Sequence, residues 1–150
     1  MVYGGLGYLS TGIISSGVEF LGACLDEQDF HKNGESEERF KSGIAEFMAK
    51  VNPKYLPYNN PASEFYLYKE LRCGMAHIIR PKGKVVFTGR GEAKKDGLVH
   101  LDIFPKYNVL VIVVEDFCDE FVESCERLRK RIPKLTNPKV KGVFLPVREV

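Results

Sequence analysis

The chain has 150 residues, 44% of them hydrophobic and 28% charged, which is the size and balance of one globular domain able to bury most of its apolar surface in a single core. Such a composition argues against disorder and against a membrane class. The formal net charge of +2 hides an asymmetry, because residues 1–75 hold 7 Lys and Arg against 10 Asp and Glu, whereas residues 76–150 hold 15 against 10. That excess permits a basic face for an anionic partner, and a solvated surface explains it equally well.

Residues 4–25 are apolar enough to imitate a signal peptide or a membrane span. They lack a basic leading region and carry Glu19, so they read as a buried core helix. The helix is expected from about residue 10 or 11, with Ser10 or Thr11 as cap, to Leu25, with Ile14, Val18, Leu21 and Leu25 on one side. Gly12, Ser15, Ser16, Gly22 and Ala23 form a second, small-residue face that lets another backbone approach around Glu19. A carboxylate there wants a cationic partner, and Arg72 is the preferred one.

Residues 26–35 are polar, contain Asn33-Gly34 and read as a connecting loop. A second helix follows, capped by Ser36, with Glu37 and Glu38 in its first turn and Phe40, Ile44, Phe47, Met48 and Val51 inward, stopping at Asn52-Pro53. After a loop over 53–60, Asn60 as cap and Pro61 at the first helical position open a third helix. It reaches Arg80-Pro81, with Leu67, Leu71, Met75 and Ile78 as its core stripe.

Beyond Pro81 the period changes. Residues 85–88, 98–104 and 109–113 are β-branched or alternating runs, separated by a Gly-rich charged loop over 89–97 and by Pro105-Lys106-Tyr107-Asn108, which predicts a three-stranded antiparallel meander. The last helix begins near Glu115 or Asp116. It turns Phe117, Phe121, Cys125, Leu128 and Ile132 inward and ends in Arg129-Lys130-Arg131 before Pro133. Residues 133–150 read as a C-terminal arm whose Val143-Phe144-Leu145 could add to a sheet edge. The expected class is α+β and helix-dominated: a bundle of roughly four helices with the meander inserted before the last, all in one domain.

The four cysteines, Cys24, Cys73, Cys118 and Cys125, form no Cys-x-x-Cys pair and read as free thiols in a reducing, cytoplasmic setting. On the third helix, a rotation of about 100° per residue places Tyr66, Glu70, Cys73 and His77 in one line beside the apolar stripe. The bland reading of this line is a packing seam with locally satisfied polar groups. Arg72 and His77 are five positions apart and therefore diverge by about 140° on a straight helix.

Arg72-Cys73-Gly74-Met75-Ala76-His77 fits the Arg-x(4 to 6)-His signature of the HEPN superfamily, and the order of helices resembles that family's bundle. The resemblance implies a homodimer with two motifs facing a shared cleft and, in active members, metal-independent RNA cleavage. It assigns Arg72 and His77 as the catalytic pair. Glu19, Tyr66, Glu70 and Cys73 are expected as supporting residues, with no cofactor, no metal and no membrane partner. Many active members carry Asn, Asp or His directly after the arginine; this chain has Cys73. In such chemistry an imidazole can move a proton at neutral pH, and a permanently charged guanidinium can bind the scissile phosphate.

Two other functions fit the sequence. One is a non-catalytic homodimeric assembly or regulatory module with a protein partner. The other is a small-molecule or nucleotide-binding protein using a basic pocket, for which a deep pocket away from the third helix would speak. Cys73 and His77 could begin a zinc site but lack two further ligands at convincing spacing. Gly89-Arg90-Gly91 is too short for a phosphate loop, Tyr55, Tyr58, Tyr66 and Tyr68 fit a bundle edge or base stacking, and His31 and His100 sit in no motif.

Overall fold

The computed structural model describes residues 4–78, 81–135, 137 and 139–140, and it is helix-dominated α+β with a small three-stranded mixed sheet. Helix α1 spans Gly4–Ala23. It starts well before the expected cap, and neither Ser10 nor Thr11 caps it. The Thr11 hydroxyl donates to the Gly7 carbonyl one turn back, and Ser15 Oγ donates to the Thr11 carbonyl at 2.7 Å. Both hydroxyls are buried, and this back-bonding is how helix-interior Ser and Thr satisfy themselves.

Helix α2 starts as Ser36–Gly43, opens into the π turn Ile44–Met48 and closes with Ala49–Val51. Ser36 is the first helical residue rather than the cap, and its Oγ is buried without a hydrogen-bond partner. The helix stops where Asn52 turns extended before Pro53, as the proline requires. The expected loop that follows is coiled into the 3-10 turns Pro53–Asn59, with Asn52 accepting from the Lys54 amide at 3.1 Å.

The small-residue face of α1 is used inside the chain. A Cβ on Gly22 would land against the Arg39 carbonyl oxygen, and one on Gly43 against the Val18 carbonyl oxygen, so α1 and α2 touch backbone to backbone. Arg39 itself is buried and anchors the connecting loop. It donates to Asp26 Oδ2 at 2.6 Å and to the carbonyls of Phe30 at 3.0 Å and Asp29 at 2.7 Å.

The third helix, α3, consists of the π turn Tyr68–Arg72 and the α stretch Cys73–Ile78. It does not begin at Pro61. Asn60 Oδ1 instead accepts from the Ala62 amide at 2.9 Å and Ser63 Oγ from the Phe65 amide at 3.2 Å, local turns that compete with helix. Its expected end at Arg80 lies outside the described residues.

Strand β1 is Val85–Thr88, β2 is Ile103–Phe104 and β3 is Val109–Val113. The order is β1-β3-β2, with β1 parallel to β3 from Val85↔Leu110 to Thr88↔Val113 and β2 antiparallel to β3. The antiparallel meander is therefore wrong. The reason is a helix, α4 at Arg90–Asp96, where a loop was expected: Gly89 enters it extended and Gly97 leaves it left-handed at φ 65°, the usual residue for a helix end. This connection carries the chain across, so β3 runs alongside β1 in the same direction. The helix also adds to the roughly four expected.

Strand β2 is shorter than residues 98–104 because Leu101 turns at φ 60° while its amide still donates to the Val111 carbonyl at 2.8 Å. All five residues of β3 are buried. Helix α5, Val114–Arg131, follows β3 directly and buries Phe117, Ser124 and Leu128, while Phe121, Cys125 and Ile132 are only partly buried. One core of Val18, Phe40, Ile44, Met48, Leu67, Leu110, Ile112 and Phe117 joins helices and sheet. The C-terminal segment is not wholly an arm: Val140 is fully buried against Leu21, Cys24, Phe47 and Leu128. Val143-Phe144-Leu145 lies outside the described residues.

Candidate functional site

Arg72 closes the π turn of α3, and Glu19 lies toward the C-terminal end of α1. Their expected pairing is present: Nε donates to Glu19 Oε2 at 2.6 Å and Nη2 meets the same oxygen at 2.5 Å. Both side chains keep about a fifth of their surface exposed, and the guanidinium lies 6.0 Å from the centre of the Tyr68 ring. Arg72 also lines a groove of about 410 Å³ between α1 and α3, with Tyr8, Gly12, Ile13, Ser16 and Met75. Because Glu19 engages Nε and Nη2, the Nη1 hydrogens remain available to a ligand.

His77 is exposed and Cys73 half-buried. The other two supporting residues are Tyr66 and Glu70. Tyr66 precedes the helix, and its hydroxyl donates to Glu37 on α2 at 2.8 Å; burial and this carboxylate push its phenol above the ordinary range. Glu70 is buried, and its carbonyl accepts from the Lys82 amide at 2.8 Å. The polar line from Tyr66 to His77 is thus broken: its first member lies outside the helix, and the i→i+5 bonds of a π turn shift the phase between Glu70 and Cys73. Among the described residues no group of three His, Cys, Asp or Glu side chains could hold a metal ion. None of their helices is long and apolar enough to cross a membrane.

A second cluster was not legible from motifs. Glu120 of α5 accepts from Tyr55 Oη at 2.5 Å and from Asn52 Nδ2 at 2.7 Å, and it lies 3.0 Å from His100 Nε2. The Val113 amide donates to His100 Nδ1 at 3.0 Å, so in the neutral ring the proton belongs on Nε2, facing Glu120. Tyr55 and His100 are buried, and Glu120 is largely so. Burial works to raise the Glu120 pKa, but the hydrogen bonds from His100, Tyr55 and Asn52 together hold it below the usual carboxylate range. Burial, then the charge of Glu120, pushes the Tyr55 phenol well above its ordinary value.

Glu120, His100 and Asn52 of this cluster line a cleft of about 440 Å³ whose charged rim is made by Lys54, Arg90, Lys94 and Asp116. One sequence signal could have exposed it. Helical spacing in α5 puts Glu120 on the inward face between Phe117 and Ser124, where an unpaired carboxylate is costly and must find donors. Comparisons of the chain with family models, with curated proteins and with solved structures gave no match.

Proposed function

We propose that the chain is a HEPN-like domain that binds RNA at the α1–α3 groove and cleaves it without a metal ion, with Arg72 and His77 as the working pair. The observation that carries this reading is that Glu19 holds Arg72 at the mouth of the groove while His77 stands exposed on the following turn. Arg72 binds the scissile phosphate through its free Nη1 hydrogens and stabilises developing charge; His77 moves the proton of the attacking or leaving oxygen.

On one chain the two side chains diverge, since the stretch between them is regular α-helix. The site therefore works as a homodimer in which each motif completes the other's. Leu9 and Ile13, apolar residues on α1 that are 56% and 63% exposed, supply a surface for that contact beside the groove. A reducing cytoplasm suits the four free cysteines. The half-buried Cys73 between the pair makes the enzyme slow or selective.

Purified protein is expected to run at twice the 17.0 kDa of the chain in light scattering and to cleave single-stranded RNA in the presence of a chelator. Arg72→Ala and His77→Ala should each lower turnover by about 10² to 10⁴-fold without changing the mass. Arg72→Lys should fail as well, because it lacks the planar fork. Ile13→Glu should yield monomers and abolish cleavage together. Cleavage undiminished by both alanine variants, or by monomers, rejects the reading.

A further inference from the structure

The cleft beneath α4 shares no lining residue with the groove of Arg72 and has its own chemistry, independent of the function proposed for Arg72 and His77. Its floor carries a fixed anion. Glu120 stays ionised although largely buried, held by Tyr55, Asn52 and His100 rather than by a lysine or an arginine. Oε1 receives only Asn52 and keeps a lone pair for a donor in the cleft. One wall is apolar, made by Leu98, Val99 and Val113, and the rim carries the three cations Lys54, Arg90 and Lys94 with one carboxylate, Asp116.

Of the three rim cations, Lys54 is paired with Asp102 and Arg90 with Asp116 and Asp119, all at partly exposed positions where ion pairs exchange readily. Among the described residues Lys94 has no acidic partner within ion-pair distance. The backbone beside His100 adds an independent observation. Leu101, a bulky and fully buried residue, adopts the left-handed conformation at φ 60°, and Tyr58 Oη donates to its carbonyl at 3.2 Å. Backbone strain of this kind gathers at ligand sites, where the surrounding fold holds it in place. Here it accompanies the turn that sends His100 inward to Glu120 and the Val113 amide.

We propose that this cleft binds a small phosphomonoester that also carries a hydroxyl or amino donor and an apolar or planar body, a ligand of nucleoside monophosphate size. The phosphate sits at the rim with Lys94, Arg90 and Lys54, the body lies on the wall of Leu98 and Val99, and the donor reaches Glu120. The volume of about 440 Å³ falls within the range of pockets that enclose such molecules.

The test is isothermal titration of the purified chain with adenosine 5′-monophosphate, ribose 5-phosphate and inorganic phosphate. The nucleotide is expected to bind with a Kd below about 1 mM, and inorganic phosphate more weakly. Lys94→Glu, a change at an exposed position that leaves the fold intact, should weaken nucleotide binding about tenfold or more. Glu120→Gln should weaken the nucleotide and leave inorganic phosphate unchanged. No saturable binding of either organic phosphate, equal affinity for inorganic phosphate, or full affinity in Lys94→Glu overturns the proposal.

Discussion

Glu120 makes a definite statement about acid stability. Its pKa in the fold lies below that of the unfolded chain, so its contribution is complete above the ordinary carboxylate range and is lost as pH falls through the lowered folded value. Glu120→Gln should therefore flatten the acid limb of stability against pH, measured by urea unfolding at a series of pH values. Tyr55→Phe removes one of three donors from a charged acceptor and should cost about 1 to 3 kcal/mol at neutral pH. Legibility differed sharply between the two clusters. Glu19 was readable because one carboxylate among small residues must meet a cation, and Arg72 lies opposite. His100 was not, because its role depends on a backbone amide of β3 and a positive φ at Leu101, neither of which leaves a mark in residue spacing.

Helices α2 and α5 were readable from their apolar period, and so was the stop at Asn52-Pro53. The π turns Ile44–Met48 and Tyr68–Arg72 were not: a single widened turn changes the phase of a helix without introducing a residue type that signals it. The run 89–97 misled in the opposite sense, since its glycines mark the two ends of α4 rather than a hairpin, and with that error went the strand directions. The close approach of α1 and α2 gives this scale its prediction. Gly22→Ala and Gly43→Ala each drive a methyl into a carbonyl oxygen of the partner helix. Each should lower the urea midpoint by an amount equivalent to about 1 to 3 kcal/mol or more, with an unchanged m-value. An alanine variant as stable as the parent would mean that the helices separate freely.

For the molecule as a whole, the three prolines of residues 133–150 and the apolar Val143-Phe144-Leu145 suggest an arm or a strand added to a sheet edge. What the first part of this segment does depends on distant partners. Lys139 Nζ donates to Asp26 at 2.6 Å, sharing that carboxylate with Arg39. Burial works to raise Asp26, but its bonds from Arg39, Lys139 and the Gln28 amide hold it below its ordinary value. The two residues are 113 positions apart, so the contact closes about three quarters of the chain into a noncovalent ring. Val140, beside it, covers Cys24, whose thiol burial pushes up to about 11. This contact acts as a latch, and Cys24 reports when it is open. A disulfide reagent should modify exposed Cys118 at once and Cys24 slowly, at a rate set by how often the segment lifts rather than by global unfolding. Lys139→Ala should quicken the Cys24 reaction while leaving that of Cys118 unchanged, and equal rates for parent and variant would mean that Cys24 is reached by another route.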